Sequence, residues 1–332
     1  MAIKLTNNVQ LVSFTQITLG FTPRNSVVLH LSCGTTLICT LRVDAHPVAG
    51  GAWARQVMET LQQVSAQLDS SILVSYEDEY AMTTAQYEEL GDLLAQAGMP
   101  LRKAVLVTDG KIMDYDRDST DAVDYEEALI EPINLAHMVN APAPRHADEV
   151  PPCHEEPDAM ATARTAQAAA IDGYHVSTID ELAARVHDEL LEQLVTYRQV
   201  GTTSEEQAGW IAGTFQTRLG RDVFLAVLAT GANRDKDVPA ALMGEESIEN
   251  RELFTAGANM IFDALEFIPN AYRPNILAGL AWTRWMQGKG SLALEFLGLS
   301  REIDPEHTLT ELFTRLIMSG KLPASATTPP TN

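Results

Sequence analysis

The chain has 332 residues, with 23 Lys and Arg against 45 Asp and Glu for a formal charge of −22, and 45% of its residues are hydrophobic. That length supports about two packed domains, and the excess of carboxylates disfavours DNA or RNA, whose binding depends on Lys and Arg displacing counterions from phosphate. Three cysteines without paired spacing, and no run of 18 apolar residues, argue against a disulfide-stapled secreted domain and a membrane span, which leaves the cytoplasm as the expected compartment.

Along the chain, Val9 to Phe14 reads as a short strand before the turn Gly20-Phe21-Thr22-Pro23. Ser26 to Ser32 is rich in β-branched residues, and Thr35 to Val43 alternates apolar with smaller or polar residues, so the two predict a β-hairpin about Cys33-Gly34. Trp53, Val57, Leu61, Val64 and Leu68 recur at spacings of three and four, which predicts a helix over Ala52 to Leu68 with one side on the sheet. Ile72 to Tyr76 is a short β-prone run, and Thr84 to Ala97 carries Tyr87, Leu90 and Leu94 at helical spacing with Gly98 as its stop. Lys103 to Thr108 predicts a buried strand, and the turn signal Asp109-Gly110 sends Lys111 to Tyr115 back beside it. Residues 1–115 are therefore expected to form an α/β domain, a mixed sheet with flanking helices.

Composition then changes. From Asp114 to Asp158, 13 acidic residues face only Arg117 and Arg145, and six of the 16 prolines fall here. Repelling carboxylates and missing backbone donors predict an exposed linker over residues 116–160, with a short helix over Asp124 to Val139. Residues 161–322 read as an all-helical domain. Thr178 to Glu181 and Ser204 to Gln207 have the form of capping boxes, each opening a helix. The first carries Ile179, Leu182, Val186, Leu190 and Leu194; the second carries Trp210, Ile211, Phe215 and Leu219, and Asp222 to Ala229 continues it with Phe224, Leu225 and Leu228 until Gly231. A Thr/Pro-rich tail, 323–332, is expected to fray.

Near the carboxyl end the spacing is that of a tetratricopeptide-like hairpin, a unit of about 34 residues in which small side chains let paired helices approach. Leu277, Leu280 and Ala281 fit its first helix, Gly288 its turn, Ala293, Leu297 and Ser300 its second helix, and Pro305 its close. Arg284 departs from the pattern where an aromatic residue is usual, with Trp285 next to it. Gly257, Ile261, Ala264 and Pro269 echo the spacing of the second helix 36 residues earlier.

The segments Leu19-Gly20-Phe21-Thr22-Pro23-Arg24-Asn25-Ser26-Val27-Val28 and Leu41-Arg42-Val43-Asp44 stand at one end of the chain. Leu280-Ala281-Trp282, Gly288-Lys289-Gly290, Ile303-Asp304-Pro305 and Gly320-Lys321-Leu322-Pro323 stand at the other. Together they resemble an actinobacterial family catalogued as a domain of unknown function, DUF4192. The resemblance implies a bacterial or actinophage origin and carries no activity or catalytic residues with it.

Several constellations have the right residue types for chemistry and the wrong surroundings. Asp114, Asp116 and Asp118 alternate as in a calcium loop, but Ser119 replaces the turn glycine and Tyr125 the bidentate glutamate, so a solvated acidic loop is favoured. His137, His146, Cys153 and His154 match no tight metal-site spacing. Ser26, His30 and Asp44 contain the members of a catalytic triad without a nucleophile elbow, and His30 inside a strand is expected to be structural. Cys33 or Cys39 with His46 meets the same objection, and Gly288-Lys289-Gly290-Ser291 follows a helix and reads as a hairpin turn instead of a phosphate loop. No metal site and no cofactor are expected.

The leading expectation is an interaction or adaptor protein that binds a protein or peptide through its helical domain, with Trp282, Arg284 and Trp285 as contacts. The alternative is an enzyme or small-ligand binder with a pocket where the α/β strands end, near Ser26, Asp44 and Asp109. A phage structural component is a third class, and homo-oligomerisation is compatible with each.

Overall fold

The β-branched run after Arg24 forms the predicted hairpin: β1 (Ser26–Cys33) and β2 (Thr36–Asp44) pair antiparallel from Ser26 opposite Asp44 to Cys33 opposite Thr36. The computed structural model describes residues 5–19, 22–44, 52–63, 68–78, 82–115, 122–131, 149–152, 179–231 and 237–327. They fall into a first unit, Met1–Pro144, and a second, Arg145–Thr328.

In the first unit β3 (Ser70–Glu77), β4 (Leu101–Thr108), β5 (Lys111–Asp114) and β6 (Val123–Asp124) complete a six-stranded sheet of order β2-β1-β3-β4-β5-β6. Only β3 and β4 run parallel, joined through α3 (Thr84–Gln96); the other neighbours are antiparallel. The predicted tight turn at Asp109-Gly110 has left-handed φ values of 49° and 70°, the twist a two-residue hairpin loop needs.

Alternation along the strands divides the core between two faces. Val27, Leu29, Leu31, Leu73 and Leu106 pack under α2 (Ala52–Leu61) and α3, against Val57, Leu61, Leu90 and Leu94. Val28, Val74, Tyr76, Val105 and Val107 pack on the other face with Val9, Leu11, Val12 and Ala128. Those last four belong to helices, so this unit is a three-layer sandwich.

Two sequence expectations change here. Val9 to Phe14 is not a strand but part of α1 (Asn8–Leu19). Asn7 Oδ1 accepts from Gln10 N at 2.8 Å, while Gln10 Oε1 accepts from Thr6 N at 2.9 Å, and this reciprocal cap starts a helix where β-prone composition suggested a strand. Next, β6 and α4 (Glu126–Leu129) fall within the expected linker yet extend the α/β unit, since Ile112 pairs with Val123 and Ala128 is buried. The helix expected over Ala52 to Leu68 ends at Leu61, with Gln62 and Gln63 in a turn and Leu68 outside any helix, and the short linker helix ends at Leu129; Val64, residues 132–139 and the cap at Thr178 lie outside the described residues.

The second unit is helical throughout its described residues. Its elements are α5 (Ile179–Val200), α6 (Glu205–Gln216), α7 (Arg218–Thr230), α8 (Asp237–Leu242), α9 (Arg251–Ala264), α10 (Arg273–Met286), α11 (Gly290–Ile303), α12 (Thr308–Met318) and α13 (Ala324–Thr327). Ser204 and Gln207 form the predicted capping box. Thr217 breaks the predicted continuation, because its Oγ1 accepts from Gly220 N and starts α7, and Leu219 consequently points to solvent.

Small residues sit where helices approach. A Cβ on Gly279 of α10 would lie 2.4 Å from Phe215 of α6, and one on Gly257 of α9 would lie 2.4 Å from Leu228 of α7. Two segments expected to be loose are anchored. Arg273, itself buried, donates to Pro151 O at 2.9 Å and Pro152 O at 3.2 Å, pinning that part of the linker. In the expected tail, Ala324 N donates to Gly244 O at 2.7 Å, Arg251 Nη2 to Ser325 O at 2.7 Å, and Ser325 Oγ to Met286 O.

Candidate functional site

The register settles where the strand-end residues lie. Ser26 is opposite Asp44 on one side and Tyr76 on the other, and Tyr76 is opposite Val107, so Asp109 follows at the same end of the sheet. β4 is three strands from β2, about 14 Å at ordinary strand spacing. Ser26 and Asp44 are therefore backbone neighbours, and Asp109 is not brought to them. Ser26 is buried on the α1 face, whereas Asp109 is exposed, so these two do not share a surface. Ser26 Oγ and the hydroxyl of Tyr76 are buried without a hydrogen-bond partner among the described residues. The Thr15 hydroxyl, which faces Tyr76, is already engaged by Leu11 and His30.

His30 lies four residues from Ser26 along β1, about 13 Å by strand rise, too far for proton transfer between them. It is fully engaged elsewhere. Thr15 Oγ1 donates its one proton to Leu11 O at 2.8 Å, so it accepts from His30 Nε2–H, also at 2.8 Å, while Thr40 Oγ1 donates to Nδ1 at 2.9 Å. Burial pushes the imidazole down from the ordinary 6.5 to about 4. The expected structural histidine is what the fold contains.

Cys39 is partly buried and its thiol is pushed up to about 11 by burial, the reverse of what a nucleophile requires. Of the alternating aspartates, Asp114 is held by Lys103 at 3.1 Å and Asn8 at 3.1 Å; Asp116 and Asp118 lie outside the described residues, as do His46, His137, His146, Cys153 and His154. Among the described residues no group of three or more His, Cys, Asp or Glu is placed to hold a metal ion, and no helix is long and apolar enough to cross a membrane.

Trp282, Arg284 and Trp285, expected as partner contacts, are 0%, 1% and 2% exposed. Trp282 Nε1 donates to Leu242 O at 2.9 Å, Trp285 Nε1 to Lys321 O at 3.1 Å, and Arg284 Nη1 to Gln287 Oε1 at 3.2 Å. The Arg284 guanidinium also lies 6.0 Å from the centre of the Phe296 ring. The three are interior residues because α10 is enclosed by α11, α12, α13 and the earlier helices, so a partner surface cannot be built from them.

Apolar surface is open elsewhere in this unit. Leu182, Val186, Leu190 and Leu194 put one stripe of α5 into the core, and the neighbouring stripe leaves Leu191 39% and Val195 57% exposed. Beside it is a groove of about 370 Å³ lined by Leu190, Leu191 and Leu194 of α5, Val227 and Leu228 at the end of α7, and Leu253 of α9. His187, Glu249 and Asn250 supply its polar margin. Glu249 N donates to Ala229 O at 2.9 Å, and Asn250 Oδ1 accepts from Glu252 N and Leu253 N, so the start of α9 is fixed against the end of α7. The sequence reading missed this groove; the doublets Leu190-Leu191 and Leu194-Val195, an apolar width greater than one core-facing stripe requires, are the signal that could have found it.

A family model described as Domain of unknown function (DUF4192) matches residues 10–324, from the first turn of α1 to the start of α13. The chain belongs to this family. No curated protein and no solved structure matches it. In this DUF4192 chain the match covers both units, so the α/β sandwich and the helical bundle fall within one family region. The DUF4192 description names no substrate, and a function has to be read from the surfaces described above.

Proposed function

We propose that this protein is an interaction module of a bacterial cell, or of an actinophage within one, and that it binds a protein partner through its helical unit. The observation that supports this is the groove between α5, α7 and α9, continued on the surface by Leu191 and Val195. Exposed apolar side chains beside a preformed groove are what a docking surface needs, because their burial on binding supplies the driving force. The tetratricopeptide-like reading of the α10 and α11 hairpin is part of the same proposal, and gives that pair the task of holding the bundle rigid behind the groove. A photo-crosslinker placed at Leu191 in the native cell is expected to give discrete adducts that Val195→Gln suppresses, with none from a crosslinker at exposed Leu312. Equal labelling from both positions, or none from Leu191, counts against the proposal.

One observation favours a second reading. Ser26 Oγ and the Tyr76 hydroxyl, buried on paired strands without partners among the described residues, are polar groups that a small ligand or water beneath α1 would satisfy. Dose-dependent thermal stabilisation by one metabolite, lost in Ser26→Ala, would shift the assignment to a ligand-binding protein.

A further inference from the structure

We infer that the partner of the α5, α7 and α9 groove is a helix whose apolar stripe is flanked by Lys or Arg; this rests on the interaction reading above and adds the class of partner. Backbone chemistry selects the helix. Every described element of the second unit is helical, so among these residues there is no sheet edge to which an extended peptide would add, and a ligand entering an apolar groove must satisfy its own backbone groups. The spacing agrees. His187 opens the row at the groove margin, and Leu190, Leu191 and Leu194 follow one and two turns along, so the wall repeats at the interval at which a facing helix presents its anchors.

Charge selects the flanks. Asp188 and Glu192 are exposed on α5 beside Leu191, and Glu249 is exposed at the opposite margin. Among the described residues, the cations near the groove are engaged: Arg185 Nε donates to Glu189 at 3.0 Å, Arg198 is paired with Glu252, and Arg251 Nη2 donates to Ser325 O at 2.7 Å. His187 lies 3.3 Å from Asp188. Among the described residues the rim is therefore negative, with Asp188, Glu192 and Glu249 facing no ion-pair partner of opposite charge other than the imidazole of His187. The same sign of charge disfavours a second copy as occupant, since each copy brings a formal −22.

The test is a displayed library of helical peptides with Leu fixed at i, i+3, i+4 and i+7 and randomised flanks, selected against the full-length chain. Enrichment of Lys and Arg in the flanks is the expected result. Binding of selected peptides should weaken about tenfold in the double variant Leu191→Gln with Val195→Gln, and by about threefold or more when salt is raised to screen the rim. Both substituted side chains are exposed, and unchanged helical circular dichroism will show that the fold is kept. Enrichment of neutral or acidic flanks with retained sensitivity to Leu191→Gln overturns the charge inference while leaving the interaction surface standing. Selected peptides indifferent to Leu191→Gln, or no enrichment at all, overturn both. A concentration-dependent dimer in light scattering that Leu191→Gln abolishes assigns the groove to a second copy and likewise overturns the inference.

Discussion

Loss of solvent on burial keeps His30 neutral, and that makes it a measurable element of stability. Its folded-state value of about 4 is below the ordinary 6.5, so its contribution is complete above pH 6.5 and is lost as pH falls towards 4. That loss amounts to about 3 kcal/mol. Denaturant unfolding at several pH values should show a steeper decline between 6.5 and 4 for the native chain than for His30→Gln; parallel curves would exclude the assignment. Gly279 makes a packing prediction at the same scale. With Phe215 2.4 Å from the position of a new Cβ, Gly279→Ala must displace an aromatic ring in a closed core. A loss of about 1–3 kcal/mol is expected from thermal or denaturant melts, and an unchanged melt would show that α6 and α10 can separate freely. The presence of His30 in a strand was legible in the sequence; its two partners, from α1 and β2, were not, because neither is near it along the chain.

Elements divide by how much their ends are set locally. The α6 capping box, the α3 stop at Gly98 and the Asp109-Gly110 turn are each encoded within a few residues, and the structure contains them where the sequence places them. Composition misled for α1, whose inner surface includes Ser13, Thr15 and Gln16 beside Val9 and Val12, leaving no clear helical stripe to read. Proline-rich composition also concealed α13. Truncation after Leu322 removes the buried Pro323 and Ser325 and the acceptor of Arg251 Nη2, and uncovers the end of α10. It is expected to cost about 2 kcal/mol and to shift tryptophan emission to the red as Trp285 gains water. A truncated chain with native emission and stability would show that the tail does not close the bundle.

For the whole molecule, a charge of −22 over 332 residues disfavours polyanionic ligands. Double-stranded DNA should give no mobility shift at low salt, where nonspecific affinity is greatest; a salt-sensitive shift would mean that a basic surface exists despite the net charge. Two domains of different class were readable because hydrophobic periodicity changes from alternation to spacings of three and four, and the pairing of the first hairpin followed from the same pattern. Periodicity reports which side of an element is apolar. It does not report how many neighbours close over that side. Only tertiary packing decided that Trp282, Arg284 and Trp285 are enclosed while Leu191 and Val195 remain outside, and that Ser26 and Asp109 share an end of the sheet without sharing a surface. Burial depends on residues distant in sequence, and no window along the chain contains them.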